Sequence, residues 1–249
     1  MIYLFVFIIG IIFGSFLNVC IYRIPRGLSI ITPPSSCPIC KTRIKWYDNI
    51  PILSYIFLKG KCRNCKSNIP IKHPIVELFG GLIALCVFLK FGFALQSVFW
   101  AIFGYCLLTL SFIDLELFII PDVINVLLLI FGFLFAIYNG AIIESLIGGV
   151  FGFVLFYALA VIFSKLLKQE ALGFGDVKLL GTVGVWTSWV GVLYTVFVAS
   201  LTGSIAGILL VFLFGKNFKA KIPFGPFLAL SAFSYIFFGK ELMHFFYGI

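Results

Sequence analysis

Charge is what this chain has least of. Asp and Glu together number nine in 249 residues, His two, and charged residues of every kind make up 11%. A soluble domain is about a quarter charged and about half apolar, whereas apolar residues here reach 62%. These figures exclude an ordinary soluble domain. The two histidines, His73 and His244, stand near no GxSxG-like elbow, which argues against a Ser-His nucleophile. The GxG sequences lie between apolar helices rather than after strands, so they are not dinucleotide loops. The first residues, MIYLFVFIIGIIFG, lack the basic region of a secretory signal and are read as a retained first span. No repeat or low-complexity tract stands out.

What is present is apolar sequence in long runs, with 32 Phe spread along the length. A helix crossing a bilayer needs about 20 mostly apolar residues. Eight candidates meet that description, at roughly 2–22, 74–90, 94–113, 119–138, 141–163, 176–190, 192–214 and 223–239. The sixth is short and the fourth opens near a proline. The expected architecture is an all-α polytopic membrane protein of about eight transmembrane helices. A first span, 1–22, precedes a polar loop domain, 23–73, and a larger transmembrane part, 74–249.

Basic residues orient these spans. Of 18 Lys plus Arg, ten fall between Arg23 and Lys72. Lys165, Lys168 and Lys178 follow around the fifth connection, and Lys216, Lys219 and Lys221 precede the last span. With eight spans all sixteen share one side, and Lys90 and Lys240 take the other. By the positive-inside rule the sixteen are cytosolic and both termini are outside. The net charge of +9 follows from this bias and suits anionic lipid rather than nucleic acid.

The polar loop holds two cysteine pairs, Cys37-Pro-Ile-Cys40 and Cys62-Arg-Asn-Cys65. Two CxxC pairs at this separation suit a tetrahedral zinc site made of four cysteines. Such a site is closed, so the zinc would be structural. Lys41, Lys61, Arg63 and Lys66 offset the negative charge of the thiolates. A segment of this size has little core of its own, and metal would supply the missing stability. Two disulfides are the alternative, disfavoured on the cytosolic side where thiols stay reduced. His73 is read as an interfacial residue rather than a further ligand, and Cys20, Cys86 and Cys106 as packing residues within spans.

Acids in or beside a membrane are costly, so each needs an account. Asp48 reads as a turn residue. Glu77 either neutralises the start of the second span or faces a polar cavity. Glu144, Glu170 and Glu241 read as surface residues. Asp114, Glu116, Asp122 and Asp176 all fall at the cytosolic face. Asp122 follows Pro121 at a helix start, where an acid complements the dipole. Asp114 sits at a helix end, where the dipole opposes its charge. Asp176 opens a span within Gly173-Phe-Gly-Asp176, whose glycines permit a sharp turn or a close approach. Asp114 and Asp176 are thus a candidate aspartyl dyad, in which one carboxylate takes a proton from water and the other, protonated, polarises a carbonyl. The helix dipoles make Asp176 the base and Asp114 the acid.

Taken together, the motifs resemble the type IV prepilin peptidase family, the bifunctional leader peptidases and N-methyltransferases of bacterial pilus and type II secretion systems. The likeness runs through "GSFLNVCIYRIPRG" at 14–27, "PPSSCPIC" at 33–40, "DNIPILSYIFLKGKCRNC" at 48–65 and "HPIVELFGG" at 73–81. It continues through "SFIDLELFIIPD" at 111–122, "GFGDVKLL" at 173–180 and "IPFGPFLALSAF" at 222–233. The family's catalytic aspartates fall on Asp114 and Asp176, and its paired CxxC motifs on Cys37, Cys40, Cys62 and Cys65. His73 is a departure, since members often carry Tyr or another residue before that proline.

The resemblance implies two reactions in the bacterial cytoplasmic membrane. The leader of a type IV prepilin or pseudopilin is cut at the cytosolic face, and the new N-terminal residue, usually Phe, is methylated from S-adenosylmethionine. It implies no donor-binding residues. The basic loop, with Asn18, Arg23 and Glu77 near its membrane junctions, is the expected place for the donor, and archaeal relatives that only cleave lack this loop. Two other classes remain in view. A proton-coupled transporter would need polar groups through the bilayer, whereas the acids gather at one face. A non-catalytic secretion scaffold would leave Asp114 without a reason.

Overall fold

In lipid every backbone N–H and C=O must find its partner within the chain, so apolar runs of this length fold as helices. The computed structural model describes residues 1–168, 172–214 and 222–247. Glu170, Lys216, Lys219 and Lys221 lie outside the described residues. The helices are α1 (Ile2–Arg23), α2 (Leu53–Phe57), α3 (Lys72–Phe91), α4 (Leu95–Leu117), α5 (Asp122–Asn139), α6 (Ile142–Leu167), α7 (Phe174–Phe214) and α8 (Gly225–Tyr247). Two short 3-10 turns, Ile24–Arg26 and Trp46–Asn49, lie in the polar loop. The chain divides into two compact units, Met1–Thr109 and Leu110–Ile249.

In the first unit α1 packs on α3 through small residues. A Cβ built at Gly14 would lie 2.7 Å from Glu77 Cα, and one at Gly80 would lie 2.8 Å from Gly14 Cα. Gly10 and Gly14 form a GxxxG stripe, which lets helix backbones touch where lipid gives no hydrophobic drive to association. In the second unit α7 packs on α5, α6 and α8.

Among the described residues, six helices are long and apolar enough to cross a membrane, and Gly225–Gly239 is a shorter apolar helix. The sequence predicts eight spans; the shorter helix answers to the last of them, and α7 carries two. Ser188, at φ 61 and ψ −178, breaks it into two arms. A Cβ at Gly184 would lie 3.0 Å from Val192 Cγ2, although residues eight apart in a straight helix are about 12 Å apart along its axis. The chain therefore doubles back at Ser188, between the two spans read at 176–190 and 192–214. Ser145 Oγ donates to the Val185 carbonyl beside the break at 2.7 Å.

Serine in that backbone region, which is essentially confined to glycine, costs about 1–3 kcal/mol. Ser188→Gly relieves the strain but adds unfolded-state entropy of about 0.5–1 kcal/mol. The expected result is a net gain of up to about 2 kcal/mol, read as a higher unfolding midpoint in detergent. A lower midpoint would show that the serine side chain holds the turn.

Candidate active site and metal cluster

Asp114 lies in the last turn of α4, which ends where Phe118, at φ 56, returns its N–H to the Asp114 carbonyl at 2.9 Å. Its side chain is 6% exposed, and Oδ2 accepts the backbone N–H of Gly225 at 3.0 Å. Asp176 opens α7 and is 9% exposed. The two carboxyls are close enough to interact electrostatically.

Between Phe118 and α5 the chain carries Ile120, whose side chain fills the space beside two glycines. A Cβ at Gly175 would lie 2.9 Å from Ile120 Cβ, and one at Gly225 would lie 3.4 Å from Ile120 Cδ1. A Cβ at Gly173 would lie 3.3 Å from Asp176 Oδ2. The glycines of GFGD therefore serve close approach, toward Ile120 and toward the Asp176 carboxyl itself.

Asp122 goes elsewhere. It is exposed and pairs with Lys178 Nζ at 2.7 Å, linking α5 to α7. Of the acids expected at this face, the fold buries Asp114 and Asp176 together and leaves Glu116 and Asp122 outside.

The loop cysteines also converge. The four Sγ atoms of Cys37, Cys40, Cys62 and Cys65 all lie within 4.8 Å of one another. Cys37 Sγ stands 3.8 Å from Cys65 Sγ, across the two pairs. A zinc tetrathiolate with bonds of about 2.3 Å has tetrahedral edges of about 3.8 Å, so the cluster fits that ion.

The two knuckles repeat each other, a relation missed in the sequence. Cys37–Ile44 and Cys62–Ile69 share the pattern C-x-x-C-K-[TS]-x-I. Lys41 and Lys66 take matching φ values of 58 and 60. Cys37 N–H donates to the Thr42 carbonyl at 3.0 Å and Cys62 N–H to that of Ser67 at 2.8 Å. Hydrogen bonds from the Thr42 side chain and backbone pull the Cys40 thiol down to about 6, which favours the thiolate a metal needs.

Asp48 is more than a turn residue. Its carboxylate accepts Arg63 Nη2 at 2.6 Å and Nε at 2.9 and 3.0 Å. This fork holds the Asp48 carboxyl below its ordinary range. Arg63 is thus bound to Asp48, a different role from the thiolate counter-charge expected of it.

The residues expected near a methyl donor tie the loop down. Asn18 donates to the His73 carbonyl at 3.1 Å, and Arg23 donates to the carbonyls of Ser29 and Pro33 at 2.8 and 2.6 Å. Glu77, 8% exposed, accepts the N–H of Ile52 at 2.7 Å. Ile52, at φ 60 and ψ −52, centres a γ-turn closed by Leu53 N–H to the Pro51 carbonyl at 2.6 Å, a rare and strained form. The Glu77 carboxylate clamps the loop at Ile52, the residue that caps the start of α2.

Residues 8–91 match the profile of the bacterial peptidase A24 N-terminal domain, and residues 101–208 match that of the type IV leader peptidase family. The prepilin leader peptidase/N-methyltransferase of Pseudomonas aeruginosa is 31% identical over 261 residues, covering 94% of this chain and 90% of the relative. The chain belongs to the type IV leader peptidase family. A prepilin leader peptidase/N-methyltransferase of Aeromonas salmonicida is 31% identical over 95% of this chain and 91% of the relative. That of Myxococcus xanthus is 36% identical over 85% of this chain and 64% of the relative. No solved structure matches the chain. The match at 8–91 contains the four clustered cysteines, and the match at 101–208 contains both buried aspartates.

Sequence reasoning missed Gly225. Its motif, IPFGPF, was visible, but the group that matters is a backbone N–H. The one signal was a glycine directly before a proline at a helix start.

Proposed function

We propose that this protein removes the leader of type IV prepilins or pseudopilins and then methylates the new N-terminal amine. The observation that carries the reading is the burial of Asp114 and Asp176 together beside Gly225, while the other acids of that face stay outside. The parts are read as a first span at 1–22, a structural four-cysteine loop at 23–73 and a transmembrane peptidase part at 74–249. The distribution of Lys and Arg supports a cytosolic position for the loop and both aspartates, with the termini outside, in a bacterial cytoplasmic membrane.

Asp114 and Asp176 divide the work of hydrolysis. Water adds through its oxygen to the scissile carbonyl carbon, and its proton passes to one carboxylate. The carbonyl oxygen takes the proton of the other carboxyl. On collapse the C–N bond breaks, the nitrogen takes the proton first received from water, and the hydroxyl proton returns to the second aspartate. The products are a leader carboxyl group and a free pilin amine, and no covalent intermediate forms. S-adenosylmethionine supplies, when bound, the methyl group for that amine. Cys37, Cys40, Cys62 and Cys65 would hold a structural zinc that closes the loop on itself.

Detergent-purified protein incubated with a prepilin and S-adenosylmethionine tests both activities by mass spectrometry of the product. The expected product has lost its leader and carries one methyl on its N-terminus. Uncut prepilin would sink the peptidase reading, and a cut but unmethylated product under excess donor would restrict the protein to proteolysis.

A further inference from the structure

Among the groups around Asp114, one comes from a segment with no assigned role. We propose that Gly225, at the start of α8, is a positioning residue of the peptidase site, holding the Asp114 carboxyl in its working orientation through Oδ2. The inference rests on the aspartyl reading above and deepens it. Three observations support it. The Gly225 N–H donates to Asp114 Oδ2 at 3.0 Å in a buried setting. A Cβ at this position would lie 2.7 Å from that same oxygen, so any side chain would push the carboxyl out of place. The first turn of a helix also presents unpaired N–H groups and the positive end of its dipole.

The consequence is directional. The N–H of Gly225 engages Oδ2, so Oδ1 is the oxygen left to face water and substrate. The N-terminus of α8 reaches the carboxyl through this direct hydrogen bond and offsets the C-terminus of α4, on which Asp114 sits. Ile120 keeps the arrangement tight, because its side chain abuts both Gly175 and Gly225. A displaced α8 start would therefore disturb GFGD as well as Asp114.

Two variants test the role. Gly225→Ala crowds the carboxylate, and glycolic acid introduced at 225 during cell-free synthesis replaces the N–H by an ester oxygen without adding an atom. Losing one hydrogen bond to a charged group corresponds to a rate loss of about 10- to 100-fold. The expected result for both is that loss in kcat for leader removal, with KM for the prepilin within about two-fold. The unfolding midpoint of the ester variant should stay near that of the wild type. If Gly225→Ala proves too unstable to assay, the ester variant decides alone. An ester variant with unchanged kcat, or one changed only in KM, overturns the proposal. A wild type that fails to cut prepilin in the same assay would overturn the proposed function instead, so the two failures are distinct.

Discussion

Asp114→Asn and Asp176→Asn should each reduce leader removal by at least ~10⁴-fold, the scale on which catalytic groups acting as a unit fail. An Asn amide neither takes the proton of the attacking water nor supplies one to the carbonyl, so either substitution stops the same cycle. Asn nearly matches Asp in shape, and both positions are already buried; the fold should persist. The double variant should be no worse than either single one, because the residues act together.

Asp122→Asn is the internal control. It removes an exposed pair with Lys178, worth about 1 kcal/mol or less, and should leave cleavage within about two-fold of the wild type. Leader removal measured by mass spectrometry on all three variants gives the answer. Normal cleavage by Asp114→Asn beside an inactive Asp122→Asn would place the dyad on the wrong partner.

The difference between Asp114 and Asp122 also shows what was legible from residues alone. Asp122 after Pro121 carried a local explanation, and the fold keeps it at the first residue of α5, outside and ion-paired. Asp114 lacked one, and the fold buries it. The spans were legible because run length and hydropathy are local properties. The break in α7 was legible only as a gap between two apolar runs. That Ser188 bends the chain back on itself depends on Gly184 meeting Val192 across the turn while Gly148 of α6 packs against Gly184 and Ser188, which no local pattern records.

What stayed hidden was mostly backbone. Gly225 acts through its N–H, and Glu77 through the N–H of Ile52 in a γ-turn; neither partner has a side-chain signature. The pairing of Asp48 with Arg63 joins residues 15 apart across an irregular loop, where neither the period of a helix nor that of a strand applies. The kinship of the two knuckles was in plain sight, but it rests on φ values and carbonyl acceptors more than on residue identity.

The loop gives the second large effect: one zinc per chain is expected, and its removal should unfold residues 27–71. Within that segment Cys37 is the one buried residue. Hydrophobic burial therefore cannot hold the loop, and its regular structure is limited to a four-residue turn and the short helix α2. Structural zinc contributes about 10–16 kcal/mol to the folding of small metal-bound modules, far more than the Asp48–Arg63 pair can replace. The placement of the sulfurs favours one shared ion over two separate bridges, because Cys37 approaches Cys65 of the other knuckle. Elemental analysis of protein purified without added metal should find zinc near one equivalent. A strong chelator should then open the loop to a protease while the membrane helices stay protected. Replacing Cys37 by Ser should do the same without the chelator, since the oxygen that takes its place is a far poorer zinc ligand than a thiolate. Protein that holds no zinc, and whose loop in cells is closed by Cys37–Cys40 and Cys62–Cys65 disulfides, would show that oxidation rather than metal joins the cysteines.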